Sequence, residues 1–263
     1  MLTEDIKCDI KDITLAEQGK NNIEWDEFEN RPYDILFTGT YTAPTRIETA
    51  INKLPDFLAG NVNELIDMML SDSSLTIEDA VEQLARNEIY DYINSDLPLH
   101  TQTFYLADTY VRCVNRTRLV LELDKCEHKL DLFGGLWEEL DLKHATLHRE
   151  IPFNLTFTVF SKSKLCVNIM PNFKTGSHDR VFSAQLNGAV SLTDSTTLLK
   201  QEYNDNESIL FFDLNNIGNA SSIADSNLDN INNLKKIAQG GYAIAKANHT
   251  WANIADIILA KLG

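Results

Sequence analysis

One segment combines the residue types that bind an anion. Residues Met170–Arg180 read Met-Pro-Asn-Phe-Lys-Thr-Gly-Ser-His-Asp-Arg and follow an apolar run that predicts a buried strand. Gly176 permits a tight turn and close approach of the backbone, and Ser177 is a good residue to cap a following helix. Lys174 and Arg180 add positive charge beside the unpaired N–H groups of that helix start. The segment therefore predicts a phosphate site.

The pattern predicts a particular anion but leaves an alternative open. The N–H groups of His178, Asp179 and Arg180 are expected to point outward, which suits a diphosphate of about two negative charges. The segment is not a Walker A loop, because the order Gly-x4-Gly-Lys-Ser/Thr is absent. The alternative is an ordinary capped helix with surface charges, and spacing alone does not separate the two.

The charge distribution favours a small anion over a polyanion. The chain has 23 basic and 39 acidic residues, a formal net charge of −16. This balance argues against a non-specific nucleic-acid binder and against an anionic membrane surface as partner, since both require clustered Lys and Arg. Residues 161–180 form a local basic segment, whereas residues 201–230 contain no basic residue. Chance clustering on a solvated face is the alternative.

Length and composition bound the class of protein. The chain has 263 residues and is 43% hydrophobic, which suffices for one large domain or two small ones. No stretch approaches the roughly 20 apolar residues of a membrane span, and the acidic, polar start is not a signal peptide. The four cysteines form no CxxC pair, so reduced thiols in a cytoplasmic protein are expected.

Strand and helix patterns alternate along most of the chain, which predicts an α/β fold with a parallel sheet. Short apolar runs predict strands at 34–39, 129–133, 145–148, 165–170, 189–193 and 209–213. Helices are expected between them, including one at 178–187 that Gly188 ends. We therefore expect a Rossmann-like domain at 34–263, with a largely helical insertion at 46–125, after an N-terminal arm or helix at 1–33.

Several motifs, in this order, resemble CgeB-like (spore-maturation type) glycosyltransferases. The stretch Ser161–Asp194 is similar to that family's LNxxP, GxHDRxFxAMxxG and xxTD motifs. Gly241–Trp251 resembles its closing GYxxAxxxHTW, and Ile35–Tyr41 and Asp131–Trp137 resemble the first two strands of its C-terminal domain. The likeness covers roughly residues 34 to 261, and the ordered set is more specific than any single motif.

The resemblance implies a GT-B enzyme, in which two Rossmann-like domains face a cleft and the C-terminal one holds a nucleotide-diphospho-sugar donor. Carried over by motif, the residues around the diphosphate would be Lys174, Gly176, Ser177, His178, Asp179 and Arg180. The flanking positions would be Asn187 and Gly188 at the next turn, Thr193 and Asp194 near the sugar or ribose, and Gly39, Thr40 and Tyr41 on the opposite loop.

This chain departs from the GT-B pattern in two respects. Thr175 and Ser183 stand where many retaining enzymes carry a Glu-x7-Glu pair, so the stereochemistry is left open. An N-terminal Rossmann domain is not visible, so a partner chain or missing N-terminal domain is expected to supply acceptor contacts and any base. No DxD pair is present, so a metal-independent reaction is expected, with no cofactor beyond the donor substrate.

The sequence leaves the catalytic residues, the donor base, the sugar and the acceptor unspecified. The favoured function is a hexosyltransferase-like glycosyltransferase. The alternatives are a non-catalytic module that binds a nucleotide-sugar and a helical protein-interaction module built on residues 46–125. Arg112, Arg116 and Arg118 are expected to form a solvated or domain-contact face of a helix, and Trp137 is expected to be a packing residue.

Overall fold

Six apolar runs form one parallel sheet. The computed structural model describes residues 23–84 and 97–262. Within them the strand order is β3-β2-β1-β4-β5-β6, and every neighbouring pair is parallel. The strands are β1 (Tyr33–Thr38), β2 (Leu130–Phe133), β3 (Thr146–His148), β4 (Ser163–Val167), β5 (Val190–Asp194) and β6 (Leu210–Phe212). The α/β, Rossmann-like fold predicted from the sequence is confirmed.

Helices cover both faces of this sheet. The described α-helices are α1 (Pro44–Ile51), α2 (Asp56–Ser71), α3 (Ile77–Leu84), α4 (Leu97–Leu123), α5 (Phe153–Ser161), α6 (Asp179–Leu186), α7 (Thr197–Glu202), α8 (Ala220–Asp229), α9 (Ile231–Asn248) and α10 (Trp251–Leu262). Short 3-10 helices lie at Trp25–Asn30, Trp137–Glu139 and Leu214–Asn219. None of the described helices is both long and apolar enough to cross a membrane.

The helical insertion has its own core and is joined to the sheet by one long helix. The first part of α4 packs on α1–α3 through Leu106, Ala107 and Val111, in a cluster separate from that of the sheet. Its last turns place Leu119 and Leu123 in the main core beside β1 and β2. Residues midway along α4 therefore lie where the insertion meets the sheet. This is the insertion predicted after the first strand.

The residues that precede β1 pack against the sheet as far as the structure describes them. Residues 1–22 of the predicted N-terminal arm lie outside the described residues. Phe28 is 1% exposed within the main core. The Arg31 guanidinium donates to the carbonyl oxygens of Ser163 (2.8 Å) and Gly188 (2.7 Å), and thereby joins the start of β4 to the end of α6. Burial lowers the pKa of Arg31 to about 10.

The strand order determines where a ligand can bind. The chain runs outward from β1 to β3 on one side and from β4 to β6 on the other, so β1 and β4 are neighbours at a topological switch point. The loops that leave these two strands diverge there and open a crevice at their carboxyl ends. The loop after β1 begins at Gly39, and the predicted anion segment follows β4. The fold thus brings the two candidate segments to one crevice.

Candidate functional site

The loops that follow β1, β2 and β3 are tied to one another by hydrogen bonds. The Gly39 N–H donates to the Phe133 carbonyl oxygen over 2.8 Å, and the Trp137 indole N–H donates to the Gly39 carbonyl oxygen over 2.8 Å. The Gly134 N–H donates to the His148 carbonyl oxygen over 3.3 Å. A Cβ at Gly134 would lie 2.1 Å from the Gly39 carbonyl oxygen, so glycine is required there. These contacts fix the loops after β1, β2 and β3 against one another. The three loops together are called the floor of the crevice.

Arg180 reaches into the crevice from the first turn of α6. Its Nη1 donates to Asn168 Oδ1 over 3.2 Å, and its guanidinium carbon lies 5.6 Å from the centre of the Phe37 ring. The Asn168 amide in turn donates to Thr193 Oγ1 over 3.0 Å. Asn168, which sequence reasoning did not single out, therefore positions the Arg180 side chain. Burial and the neighbouring Arg116 lower the pKa of Arg180 to about 10, so it stays charged at neutral pH.

His178, rather than Ser177, caps helix α6. His178 Nδ1 accepts the backbone N–H of Arg180 over 3.1 Å, so the predictions of a Ser177 cap and of an outward-pointing Arg180 N–H are wrong. The Ser177 hydroxyl donates to the His178 carbonyl oxygen instead. His178 Nδ1 also lies 2.5 Å from Asp179 Oδ1. A neutral ring that caps through Nδ1 carries its proton on Nε2 and can donate it to a ligand.

The helical insertion brings further positive charge to the crevice. Arg116 Nη1 donates to the Thr40 carbonyl oxygen over 2.9 Å, and its guanidinium carbon lies 5.9 Å from the Phe37 ring centre. Arg112 lies one turn earlier on α4, where it pairs with Asp108 over 3.3 Å. The sequence predicted a solvated or domain-contact face here. For Arg116 the solvated alternative is wrong, because α4 is long enough to bring its guanidinium against the loop after β1.

Burial and the positive charges around His178 favour its neutral form. Burial is the largest cause that lowers its pKa, followed by the charge of Arg180, while Asp179 opposes them. Arg112 and Arg116 lower it further. The imidazole is therefore in the form that caps α6 and offers Nε2–H as a donor.

A cavity of about 370 Å³ extends from Arg180 along the floor. Its walls combine cationic, aromatic and carboxylate groups. They comprise Thr38, Gly39, Thr40, Phe133, Gly134, Glu150, Ile151, Phe153, Thr156, Phe157, Phe160, His178, Asp179, Arg180 and Ser183. The Glu150 carboxylate accepts the Thr40 hydroxyl over 3.2 Å. The predicted residues Gly39, Thr40, His178, Asp179 and Arg180 therefore line one cavity.

Lys174 and Asp194 border a different, larger cavity of about 840 Å³, beyond the ends of β5 and β6. Asp194 is 1% exposed; its carboxylate accepts the Met170 N–H over 2.7 Å and lies 3.4 Å from Lys174 Nζ. Burial raises the pKa of Asp194, and Lys174 partly opposes that rise. Asp194 thus anchors the loop after β4. Thr193 is fully buried and accepts the Asn168 amide, so it does not reach a ligand in this state.

The other predicted residues have structural positions. Tyr41 is 3% exposed and stacks on Trp137, with ring centres 5.3 Å apart, so it packs in the core instead of lining the crevice. A Cβ at Gly176 would lie 2.3 Å from the ring of Phe173, which is 53% exposed, so Gly176 lets that ring lie against the loop. Gly188 follows the end of α6 with φ +77°, the left-handed conformation expected at a helix end. Asn187 Nδ2 donates to the Ser183 carbonyl oxygen over 2.7 Å.

The arrangement joins three kinds of chemistry in one cavity. Arg180, the His178 imidazole and the start of α6 favour an anion at one end. The rings of Phe153 and Phe157 add apolar surface to the wall of the cavity, and the carboxylates of Glu150 and Asp179 can accept hydroxyl groups. Within the described ranges, no group of three or more His, Cys, Asp or Glu side chains is placed to hold a metal ion.

Comparison with known proteins gives a family and several structural likenesses. Residues 112–260, more than half of the chain, match the family described as glycosyl transferase-like. No curated protein matches the sequence. Anabaena HepE in complex with UDP-glucose is similar in structure, with 13% identity and a TM-score of 0.47 over 55% of this chain and 44% of that one.

Two further solved structures resemble the chain at a similar level. Sucrose-phosphate synthase from Thermosynechococcus elongatus shares 16% identity, with a TM-score of 0.47 over 56% of this chain and 40% of that one. The pneumococcal O-GlcNAc transferase GtfA in complex with UDP and GlcNAc shares 14% identity, with a TM-score of 0.40 over 49% of this chain and 29% of that one. The chain spans less than half the length of these proteins.

Proposed function

Since the chain belongs to the glycosyl transferase-like family, we propose that it binds a nucleotide-diphospho-sugar at the cavity beside Arg180 and takes part in transfer of the sugar. The observation that carries the proposal is the meeting of Arg180, the start of α6 and the Gly39 loop at the switch point of a parallel sheet. Dinucleotide and nucleotide ligands bind at such points in open α/β sheets. The ordered motifs favour a CgeB-like, GT-B type of enzyme within the family.

The composition of the cavity suits the three parts of such a donor. The diphosphate would lie against Arg180, His178 and the N-terminus of α6. The nucleobase would lie towards Phe153 and Phe157, whose rings give an apolar surface for a planar group. The Glu150 carboxylate, which lines the cavity beside Thr40, would accept hydroxyl groups of the ribose or sugar.

The chemistry proposed for this half of the reaction is stabilisation of the leaving group. As the bond from the sugar to the diphosphate breaks, negative charge grows on the phosphate oxygens. Arg180 and the dipole of α6 are fixed before the reaction, so they stabilise that charge without reorganising. We propose that these groups support hexosyl transfer without a metal ion or further cofactor. The acceptor and any base would come from a second domain or a partner chain.

We also propose a cytoplasmic location for the chain. The described cysteines Cys113, Cys126 and Cys166 are buried, free thiols, which suits a reducing compartment. Burial is the main cause that raises the pKa of Cys126 and of Cys166 to about 12, so these thiols stay protonated. They are therefore packing groups rather than nucleophiles.

A thermal unfolding series with nucleotide ligands tests the proposal. The ligands are UDP-, GDP- and dTDP-sugars, and the proteins are wild type, Arg180→Gln and Lys200→Gln. Lys200 borders the larger cavity. Its replacement by Gln removes the same charge as Arg180→Gln, so Lys200→Gln is the matched control. Ligand at 100 times its dissociation constant stabilises by about 2.7 kcal/mol, which raises the unfolding temperature by several degrees.

We expect one of the nucleotide-sugars to raise the unfolding temperature of the wild type and of Lys200→Gln. Arg180→Gln should lose this increase. A well-folded wild-type protein with no shift in any nucleotide would count against the donor site. If Lys200→Gln loses the increase in unfolding temperature and Arg180→Gln keeps it, the ligand binds in the larger cavity. Release of nucleoside diphosphate with candidate acceptors then separates a transferase from a non-catalytic module that binds the same ligand.

A further inference from the structure

Two arginines from distant parts of the chain flank one buried ring. Arg116 belongs to the helical insertion and Arg180 to helix α6, yet their guanidinium carbons lie 5.9 Å and 5.6 Å from the centre of the Phe37 ring. Arg116 also donates to the carbonyl oxygen of Thr40, in the loop after β1. A Cβ built at Gly39 would lie 3.9 Å from Arg180 Nη2. Both guanidinium groups thus border the same short stretch of backbone.

The described residues compensate these charges only in part: Asp179 raises the pKa of Arg180, but burial and Arg116 outweigh it. Among the described residues, no carboxylate lies within 4.0 Å of the Arg116 or Arg180 guanidinium nitrogens. Arg116 Nε is buried without a hydrogen-bond partner. Burial, followed by the charge of Arg116, lowers the pKa of Arg180, and burial, followed among the charges by Arg112, lowers that of Arg116. Like charges held together in a partly buried site are compensated when an anion binds between them.

We propose that Arg116 is a second cation of the diphosphate site and binds the phosphate groups of the donor together with Arg180. The proposal rests on the proposed function, because it adds a residue to the donor site. It also gives the helical insertion a role: α4 carries the arginine from the insertion core to the crevice. The insertion then completes the donor site and is more than a packing element.

Titration calorimetry with paired ligands tests this inference. UDP, GDP and dTDP are compared with the corresponding monophosphates, using wild type, Arg116→Gln, Arg180→Gln and Arg118→Gln. Arg118 lies on the same helix two residues away and is exposed, so its variant controls for loss of charge on α4. Arg116→Lys keeps the positive charge but lacks the forked N–H donors of a guanidinium. It therefore separates the effect of charge from that of hydrogen-bond geometry.

We expect Arg116→Gln to bind the nucleoside diphosphate at least tenfold more weakly, with a smaller loss for the monophosphate. Arg118→Gln should stay within twofold of wild type, and Arg116→Lys should be intermediate. Unchanged diphosphate affinity in Arg116→Gln, with loss in Arg180→Gln, overturns this inference and leaves the proposed function intact. Absence of binding in the wild type overturns both. Should Arg116→Gln fail to fold, Arg116→Met takes its place, since it keeps an unbranched side chain without the charge: wild-type affinity of Arg116→Met for the diphosphate contradicts the inference.

Discussion

At the residue scale, the site depends on a histidine with two available partners. His178 Nδ1 accepts the Arg180 N–H when the ring is neutral, and it lies within reach of the Asp179 carboxylate. Protonation would turn Nδ1 into a donor to Asp179 and remove the cap from α6. The charge state of one ring therefore decides how the first turn of this helix is held.

The pH dependence of this cap gives the first prediction. Burial and then Arg180 lower the pKa of His178 from its ordinary value of 6.5, so folding favours the neutral ring. Its contribution to stability is then complete above pH 6.5 and decreases as the pH falls below that value. His178→Asn keeps an acceptor at the cap but does not titrate. Urea unfolding from pH 8 to 5 should lose less stability in His178→Asn than in wild type; parallel curves would contradict this role.

The contact between two loops gives a second prediction at this scale. Gly134 has φ +148°, and an added Cβ would lie 2.1 Å from the Gly39 carbonyl oxygen. Gly134→Ala should lower the free energy of unfolding by about 2 kcal/mol or more, through strain and displacement of the Gly39 loop. Gly60→Ala is the control, because Gly60 lies inside α2 with open space around it. It should stabilise by about 0.5–1 kcal/mol. Equal effects in the two variants would refute the account of the floor.

The positions of individual residues could be predicted from the sequence only where their contacts are with residues close to them in the chain. The Met170–Arg180 segment could be recognised because its glycine, its charges and the following helix are adjacent in the chain. The cap was misassigned to Ser177 because both Ser177 and His178 carry suitable acceptors, and only the backbone conformation selects one. The contact of Arg116 with the loop after β1 was not predicted, because it depends on packing between α4 and β1.

At the element scale, each strand and helix that surrounds the cavity is placed by a simple pattern. The strands in the middle of the sheet are mostly buried along their length, since both faces of the sheet are covered. Gly188 ends α6 in the left-handed conformation, and Arg31 binds its carbonyl oxygen. These features were predictable because the alternation of strands with helices and the residue types at helix ends form recognisable sequence patterns. The path of the helical insertion could not be predicted, because its own core is separate from that of the sheet.

Helix α5 gives a prediction about the apolar end of the cavity. Pro152 precedes the helix, and Phe153 in its first turn is 71% exposed at the cavity mouth. Stacking of a nucleobase on an aromatic ring contributes about 1–3 kcal/mol, so Phe153→Ala should weaken nucleotide binding roughly tenfold. Leu155→Ala is the control, since Leu155 is exposed on the same helix but does not line the cavity. Equal affinity in both variants, measured by calorimetry, would place the base elsewhere.

At the scale of the whole molecule, the chain is an acidic Rossmann-like domain with a concentrated basic crevice. The net charge of −16 repels polyanions, whereas the arginines of α4 and α6 concentrate positive charge beside the loop after β1. The domain therefore has the charge distribution expected of a donor-binding half. In the proposed function, acceptor contacts come from another domain or a partner chain.

The most direct test of this account is a crystal structure with the nucleoside diphosphate that stabilises the protein in the unfolding series. The account predicts phosphate oxygens within hydrogen-bond distance of the Arg180 guanidinium and of the backbone N–H groups of His178 and Asp179, with the base towards Phe153. A diphosphate bound instead beside Lys174 and Lys200, in the cavity beyond β5 and β6, would contradict it.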